Sequence, residues 1–296
     1  MRITGAITAI VTPMKVNGDI DYSSLESLVE MQIDNGISGI VAVGTTGESA
    51  TIEVSEHLEV IDYFVKTVNG RIPLIAGTGA NATKEAIYLT ESAKNLGVDA
   101  VLLVTPYYNK PTQEGLYQHY MSIADKVDVP QIIYNVPSRT AVHIESKTVS
   151  ELASHPNIIG LKDATGDMDI FDQLNNLCAS EIKSNNFYLY SGDDESSCDF
   201  IKRGGHGSIS VTSNIMPFMV SRMCESAKNN DPEAEEINKH LSEINKKLFI
   251  QSNPIPVKYA LLKMGLIDSG IRLPLTQLSK KNHDLINEEL EKLGLI

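Results

Sequence analysis

Eight short apolar runs recur along the chain at nearly even spacing, and this limits the fold more than any other feature. They cover Gly5–Pro13, Gly39–Gly44, Ile72–Gly77, Ala100–Pro106, Pro130–Asn135, Ile158–Lys162, Phe187–Gly192 and Gly207–Thr212. Most lie about 27–33 residues apart, and the last step is shorter. Most are rich in Val, Ile and Leu and do not alternate with polar residues, the mark of strands buried on both faces of a parallel sheet. The intervening segments carry apolar residues at spacings of three and four, as in Ser55 to Lys66 and Thr83 to Lys94. Ser55 and Thr83 are suited to be N-caps. The stretches Gln113–Lys126 and Asn214–Lys228 follow the same pattern. Eight strand-then-helix units within 230 residues predict a (β/α)₈ TIM barrel. The competing doubly wound sheet more often opens on a Gly-x-Gly-x-x-Gly turn, and none follows the first run.

Beyond about Asp231 the strand signal stops. Pro232–Ile250, Pro256–Gly265 and Leu275–Leu293 read as helices. The expected division is a catalytic barrel over residues 1–230 and a helical appendage over 231–296. No low-complexity linker separates them, so the appendage should pack on the barrel. The 296 residues suffice for a substantial core.

Charge narrows the partners. With 25 Lys and Arg against 38 Asp and Glu, the net charge is −13. An acidic chain is poorly matched to nucleic acid and to anionic membranes. The three cysteines, Cys178, Cys198 and Cys224, form no Cys-x-x-Cys pair and read as free thiols of a reducing compartment. No apolar run has the length of a spanning helix. The first residues lack the charge cluster and cleavage site of a signal peptide. A cytoplasmic location is expected.

Barrel enzymes place chemistry at the C-terminal ends of their strands. Lys162 stands at the end of the sixth run. A lysine in an apolar barrel mouth loses hydration, which favours the neutral amine, and a neutral amine can attack a ketone to form a Schiff base. The residues alone leave open a surface lysine or an ion pair with Asp163. Tyr134 ends the fifth run, where a phenol can relay protons or serve as an aromatic lid. Thr45 and Thr46 between Gly44 and Gly47 offer hydroxyls and backbone N–H groups to a carboxylate, or form a plain turn. Arg139 can hold a second carboxylate, or be a solvated loop charge. Asp193–Glu195 reads as a helix cap, Gly204–Gly207 as a helix-to-strand turn and Asp231–Glu236 as a solvated helix start. No zinc-site histidine pattern is present, and no metal is expected.

With these residues in view, the chain resembles the pyruvate-dependent class I aldolase superfamily, which includes N-acetylneuraminate lyases and dihydrodipicolinate synthases. Gly44–Glu48 matches its signature turn, and Ile158–Gly166 its Schiff-base lysine segment. Val104–Pro111, Tyr134–Thr140 and Asn253–Lys258 are most similar to the dihydrodipicolinate synthase family. The likeness runs from about residue 3 to the C-terminus.

The resemblance implies roles. Lys162 forms the imine with pyruvate, and Tyr134 donates and accepts protons. Thr45 and Tyr108 complete the relay, with Tyr108 coming from the neighbouring subunit. Thr46 and the backbone at Ile209 bind pyruvate, and Arg139 holds the carboxylate of L-aspartate 4-semialdehyde. No cofactor is implied. The implied assembly is a homotetramer of two tight dimers, with L-lysine inhibiting at the tight-dimer interface. The matching positions there are Ser49, Ala50, His57, Asn81, Glu85 and Tyr107. Two positions depart from the family pattern. Asp163 stands where many relatives carry Glu, and Val54 where some lysine-sensitive relatives carry His. Two rival functions accompany this reading: another pyruvate aldolase, acting on neuraminate or keto-deoxy-sugar acids, and a non-catalytic amino-acid-sensing barrel.

Overall fold

A computed structural model describes residues 3–296; Met1 and Arg2 lie outside the described residues. Eight strands close into one parallel barrel in chain order. They are β1 (Gly5–Ala9), β2 (Gly39–Ala42), β3 (Leu74–Gly77), β4 (Ala100–Val104), β5 (Gln131–Asn135), β6 (Ile158–Asp163), β7 (Tyr188–Ser191) and β8 (Gly207–Ser210). The helices around them are α1 (Tyr22–Asp34), α2 (Val54–Val68), α3 (Thr83–Leu96), α4 (Gln113–Lys126), α5 (Pro137–Thr140), α6 (Ser146–Leu152), α7 (Met168–Leu177), α8 (Ala179–Lys183), α9 (Ser197–Lys202) and α10 (Pro217–Lys228). Three more follow: α11 (Glu233–Lys247), α12 (Ile255–Lys263) and α13 (His283–Lys292).

The unbroken apolar runs have a double use. Alternate strand residues point into the barrel, where Ile7, Val41, Ile75, Leu102, Ile132 and Ile209 form one core. The other set meets the helices in a larger, separate core that includes Ile40, Phe64, Leu103, Ile133 and Leu161. Each such side chain, fully buried, contributes roughly 1.5–3 kcal/mol. Lys162 and Tyr134 bring polar groups into the interior near the C-terminal ends of their strands.

Several local expectations need correction. Ser55 and Thr83 do not cap their helices. Val54 already lies inside α2, behind Glu53, and Thr83 is the first residue of α3. The Thr83 hydroxyl is instead bonded to His119 Nδ1 at 2.9 Å. In the stretch from Asn214, a 3-10 turn at Thr212–Asn214 comes first, and α10 starts at Pro217, whose missing N–H suits a first helical turn. Leu275 is not yet helical. The Ser279 N–H and the Asn282 amide both donate to Gln251 Oε1, fixing that approach, and α13 begins at His283. Asp193 does cap the turn at Ser196, but Asp194 turns away to β8.

All three cysteines are buried and free. Among the described residues no helix is long and apolar enough to cross a membrane.

Candidate active site

Lys162 and Tyr134 occupy paired positions on β6 and β5, so strand register alone places them side by side. Both belong to the inward-facing set. Lys162 is only 5% exposed and Tyr134 7%. The lysine Nζ lies 4.3 Å from the centre of the tyrosine ring. Space for the lysine comes from Gly192, just past β7. A Cβ at that position would stand 2.8 Å from Lys162 Cε and 2.9 Å from Ala164 Cβ.

The ion pair with Asp163 that the sequence left open is absent. Asp163 accepts from Asn135 Nδ2 at 2.7 Å and from the Thr165 hydroxyl. Burial pushes the Lys162 amine down to about 7; nearby Asp194 opposes the shift and Arg139 adds to it. Near neutral pH a large share of this amine is therefore unprotonated, as nucleophilic attack requires.

The turn after β2 brings Thr45 beside Tyr134, the two lining one small cavity. Burial raises the Tyr134 phenol, while the Arg139 charge and the Thr45 hydrogen bond restrain the rise. Thr46 is buried, and its hydroxyl accepts from Asn253 Nδ2 at 2.9 Å. Arg139, on the short helix α5 behind Pro137, donates through Nη2 to the Asn253 carbonyl at 3.3 Å. Ile209 sits in β8 opposite Ile7, inside the barrel. The cavity at this end is about 460 Å³, and Thr45, Thr46, Tyr134, Arg139, Lys162 and Asn253 line it.

Other predicted positions are not drawn in. Tyr108 is 90% exposed and does not line this cavity. Of the expected lysine-binding positions, Asn81 and Tyr107 meet, the tyrosine N–H donating to Asn81 Oδ1 at 3.0 Å. His57 is buried, with Nε2 2.8 Å from the Gly77 carbonyl oxygen. Ser49 touches a small cavity of about 30 Å³ that Thr45 and Tyr134 also line. Glu85 lines an open groove between α3 and α4, and Ala50 is exposed. Within one chain these six residues do not close a common pocket.

The sequence matches the Dihydrodipicolinate synthetase family over residues 2–293. The chain belongs to that family. A curated relative, the 4-hydroxy-tetrahydrodipicolinate synthase of Ruthia magnifica subsp. Calyptogena magnifica, is 52% identical over 295 residues, covering 99% of this chain and 98% of the relative. The crystal structure of the chloride-inhibited dihydrodipicolinate synthase of Acinetobacter baumannii complexed with pyruvate superposes with a TM-score of 0.96 at 50% identity, over 99% of this chain and 100% of the other. The enzyme of Cyanidioschyzon merolae with lysine bound gives 0.94 at 36% identity, over the whole of both chains.

Two residues of this family member were legible only in part. Asn253 was visible within a motif, yet nothing there placed it between Thr46 and Arg139. Asp194 read as a helix cap. It is in fact buried, and its Oδ2 accepts from the N–H groups of Val211 at 2.8 Å and Thr212 at 3.0 Å. It is the carboxylate that opposes the depression of the Lys162 amine.

Proposed function

We propose that this chain condenses pyruvate with L-aspartate 4-semialdehyde to 4-hydroxy-tetrahydrodipicolinate, the first committed step toward diaminopimelate and lysine. The observation that carries the reading is the desolvated, unpaired Lys162 beside Tyr134, in a chain of this family.

The neutral Lys162 amine adds to the pyruvate ketone, and the carbinolamine loses water to give an imine. The imine draws electrons from the methyl group, which releases a proton and becomes the nucleophilic carbon of an enamine. That carbon attacks the aldehyde of the semialdehyde. The semialdehyde's amine then attacks the imine carbon, closes the ring and frees Lys162. Protons pass along Tyr134, Thr45 and the neighbouring subunit's copy of Tyr108, since a lone threonine is too weak an acid or base for this work. Thr46 and the backbone at Ile209 hold the pyruvate carboxylate. Arg139 meets the carboxylate of the second substrate, a local cation in a chain of net charge −13.

The barrel, residues 1–230, carries the catalytic groups, and the appendage, 231–296, closes one side of the site through Asn253. The working form is a cytoplasmic homotetramer of two tight dimers. L-lysine inhibits at the tight-dimer interface through Ser49, Ala50, His57, Asn81, Glu85 and Tyr107. Borohydride reduction in the presence of pyruvate, followed by peptide mass spectrometry, tests the central step. The pyruvyl adduct is expected on Lys162; an adduct on another residue, or none, overturns the assignment.

A further inference from the structure

The turn that carries Thr45 and Thr46 holds a backbone its sequence does not favour. Val43 has φ 48° and Glu48 φ 60°, and for a β-branched residue such as Val43 the left-handed region is a true outlier. The turn also folds tightly on itself, because a Cβ at Gly47 would lie 2.9 Å from Val43 Cα. Such a conformation persists only where its surroundings over-determine it.

Those surroundings converge on one buried ion pair. The Glu48 carboxylate pairs with Lys258 Nζ of α12, and both side chains are buried. Its other oxygen accepts from the Arg272 N–H at 3.2 Å. Lys258 also donates to the Thr12 carbonyl at 3.1 Å, and the Thr12 hydroxyl donates to the Gly47 carbonyl at 2.7 Å. The Arg272 guanidinium in turn grips both oxygens of Glu56 and the Gly18 carbonyl. The ends of β1 and β2 are thus tied to the appendage across 210 positions of sequence. Neither Glu48 nor Lys258 lines the cavity.

We propose that the Glu48–Lys258 pair is a positioning clamp that holds the Thr45–Thr46 turn in its working shape, so that the appendage sets the geometry of the pyruvate site. Turnover as the readout rests on the reaction proposed above. Stability alone does not account for the pair, because apolar residues of similar volume often replace a buried ion pair without loss. What the pair supplies is direction. One carboxylate faces Lys258 and the Arg272 N–H together, through different oxygens.

The test compares the full-length wild type with Glu48→Gln, Lys258→Met and the double variant E48Q/K258M. For each, the melting temperature, kcat, KM for pyruvate and rate of borohydride trapping are measured. Lys258→Met should melt lower and turn over about 10²-fold more slowly, the scale of loss when a reacting group is misplaced by about 1 Å. The double variant leaves no isolated buried charge. It should regain melting temperature yet stay slow, with Lys162 still trapped by pyruvate at a reduced rate. If Lys258→Met does not fold, Glu48→Gln and the double variant carry the comparison. A folded double variant at wild-type kcat and KM overturns the clamp alone. Wild-type protein that traps no pyruvate on Lys162 overturns the reaction and the clamp with it.

Discussion

The residues at the mouth of the barrel hold one another within one chain, whereas the loop after β4 stands exposed. At the mouth, Thr46 meets Asn253, Tyr134 meets Thr45 and Arg139 meets the Asn253 carbonyl. After β4, Tyr108 and Lys110 have φ of 68° and 46°, and Tyr107 and Tyr108 stand exposed. Asn81 holds the loop through the Tyr107 N–H and, at 3.1 Å, the Asn109 amide. A strained loop with exposed aromatics is what a chain presents where a second surface covers it. The difference teaches a division of labour. In the proposed scheme imine formation belongs to a single barrel, while the end of the proton relay and the lysine response belong to the association of two.

The largest effect should come from the self-contained side. Lys162→Met is expected to lower turnover on the order of 10³-fold or more, because it removes the nucleophile itself. The same variant should melt at a higher temperature than the wild type. The Lys162 amine sits near 7 when folded against an ordinary 10.5. Below about pH 7 the wild type carries a buried ammonium at full cost. From 7 toward 10.5 the unfolded chain still binds a proton that the folded chain has released, so wild-type stability rises with pH. The stability gap between variant and wild type should therefore be widest at pH 6 and narrower at pH 9. Thermal melts at the two values check this, and an equal gap at both contradicts the buried-amine account.

The sequence revealed the mouth unevenly, for physical reasons. The strands were legible because burial on both faces demands unbroken Val, Ile and Leu. Their ends were not: Ile10 and Val11 are apolar yet lie beyond β1, and the Val11 N–H goes to Asn214 Oδ1 at 3.0 Å. Lys162 was legible because one charge ends an apolar run. Asn253 was not placed, since its partner Thr46 is 207 positions away and only the folding of the appendage over the barrel joins them. The helix caps failed for a local reason. A serine or threonine at the right spacing caps only where the chain turns at that residue, and here it turned at Glu53 and Ala82. Roles implied by family likeness, such as that of Tyr108, have no trace in periodicity at all.

A smaller effect should come from the incomplete side. Tyr108→Phe keeps the ring and removes the hydroxyl that ends the proposed relay. Turnover should fall about 10²-fold, the lower end of what a positioned acid or base contributes. The single-chain fold should be untouched, because the Tyr108 side chain is 90% exposed. Mixing Tyr108→Phe with Lys162→Met subunits sharpens the comparison. If the tyrosine crosses the interface, some mixed dimers pair an intact Lys162 with a partner's intact Tyr108, and activity should return above that of either parent. No recovery in mixed assemblies, or Tyr108→Phe at the wild-type rate, would place the relay wholly within one barrel.

The smallest effect concerns lysine. In the proposed lysine site the ammonium would pair with Glu85, exposed at the start of α3. An ion pair this accessible contributes up to about 1 kcal/mol, or roughly fivefold in affinity. Glu85→Gln should thus raise the half-inhibitory lysine concentration about fivefold, measured against the variant's own uninhibited rate. The route inward is short. Ser49 borders the small cavity whose other walls include Thr45 and Tyr134, so a ligand moving Ser49 acts next to the relay. Burial lowers the His57 imidazole from its ordinary value and so favours the neutral ring, opposed by its bond to the Gly77 carbonyl. Turnover indifferent to millimolar lysine would leave the exposed loop as an interface for the relay alone and remove it as a sensor.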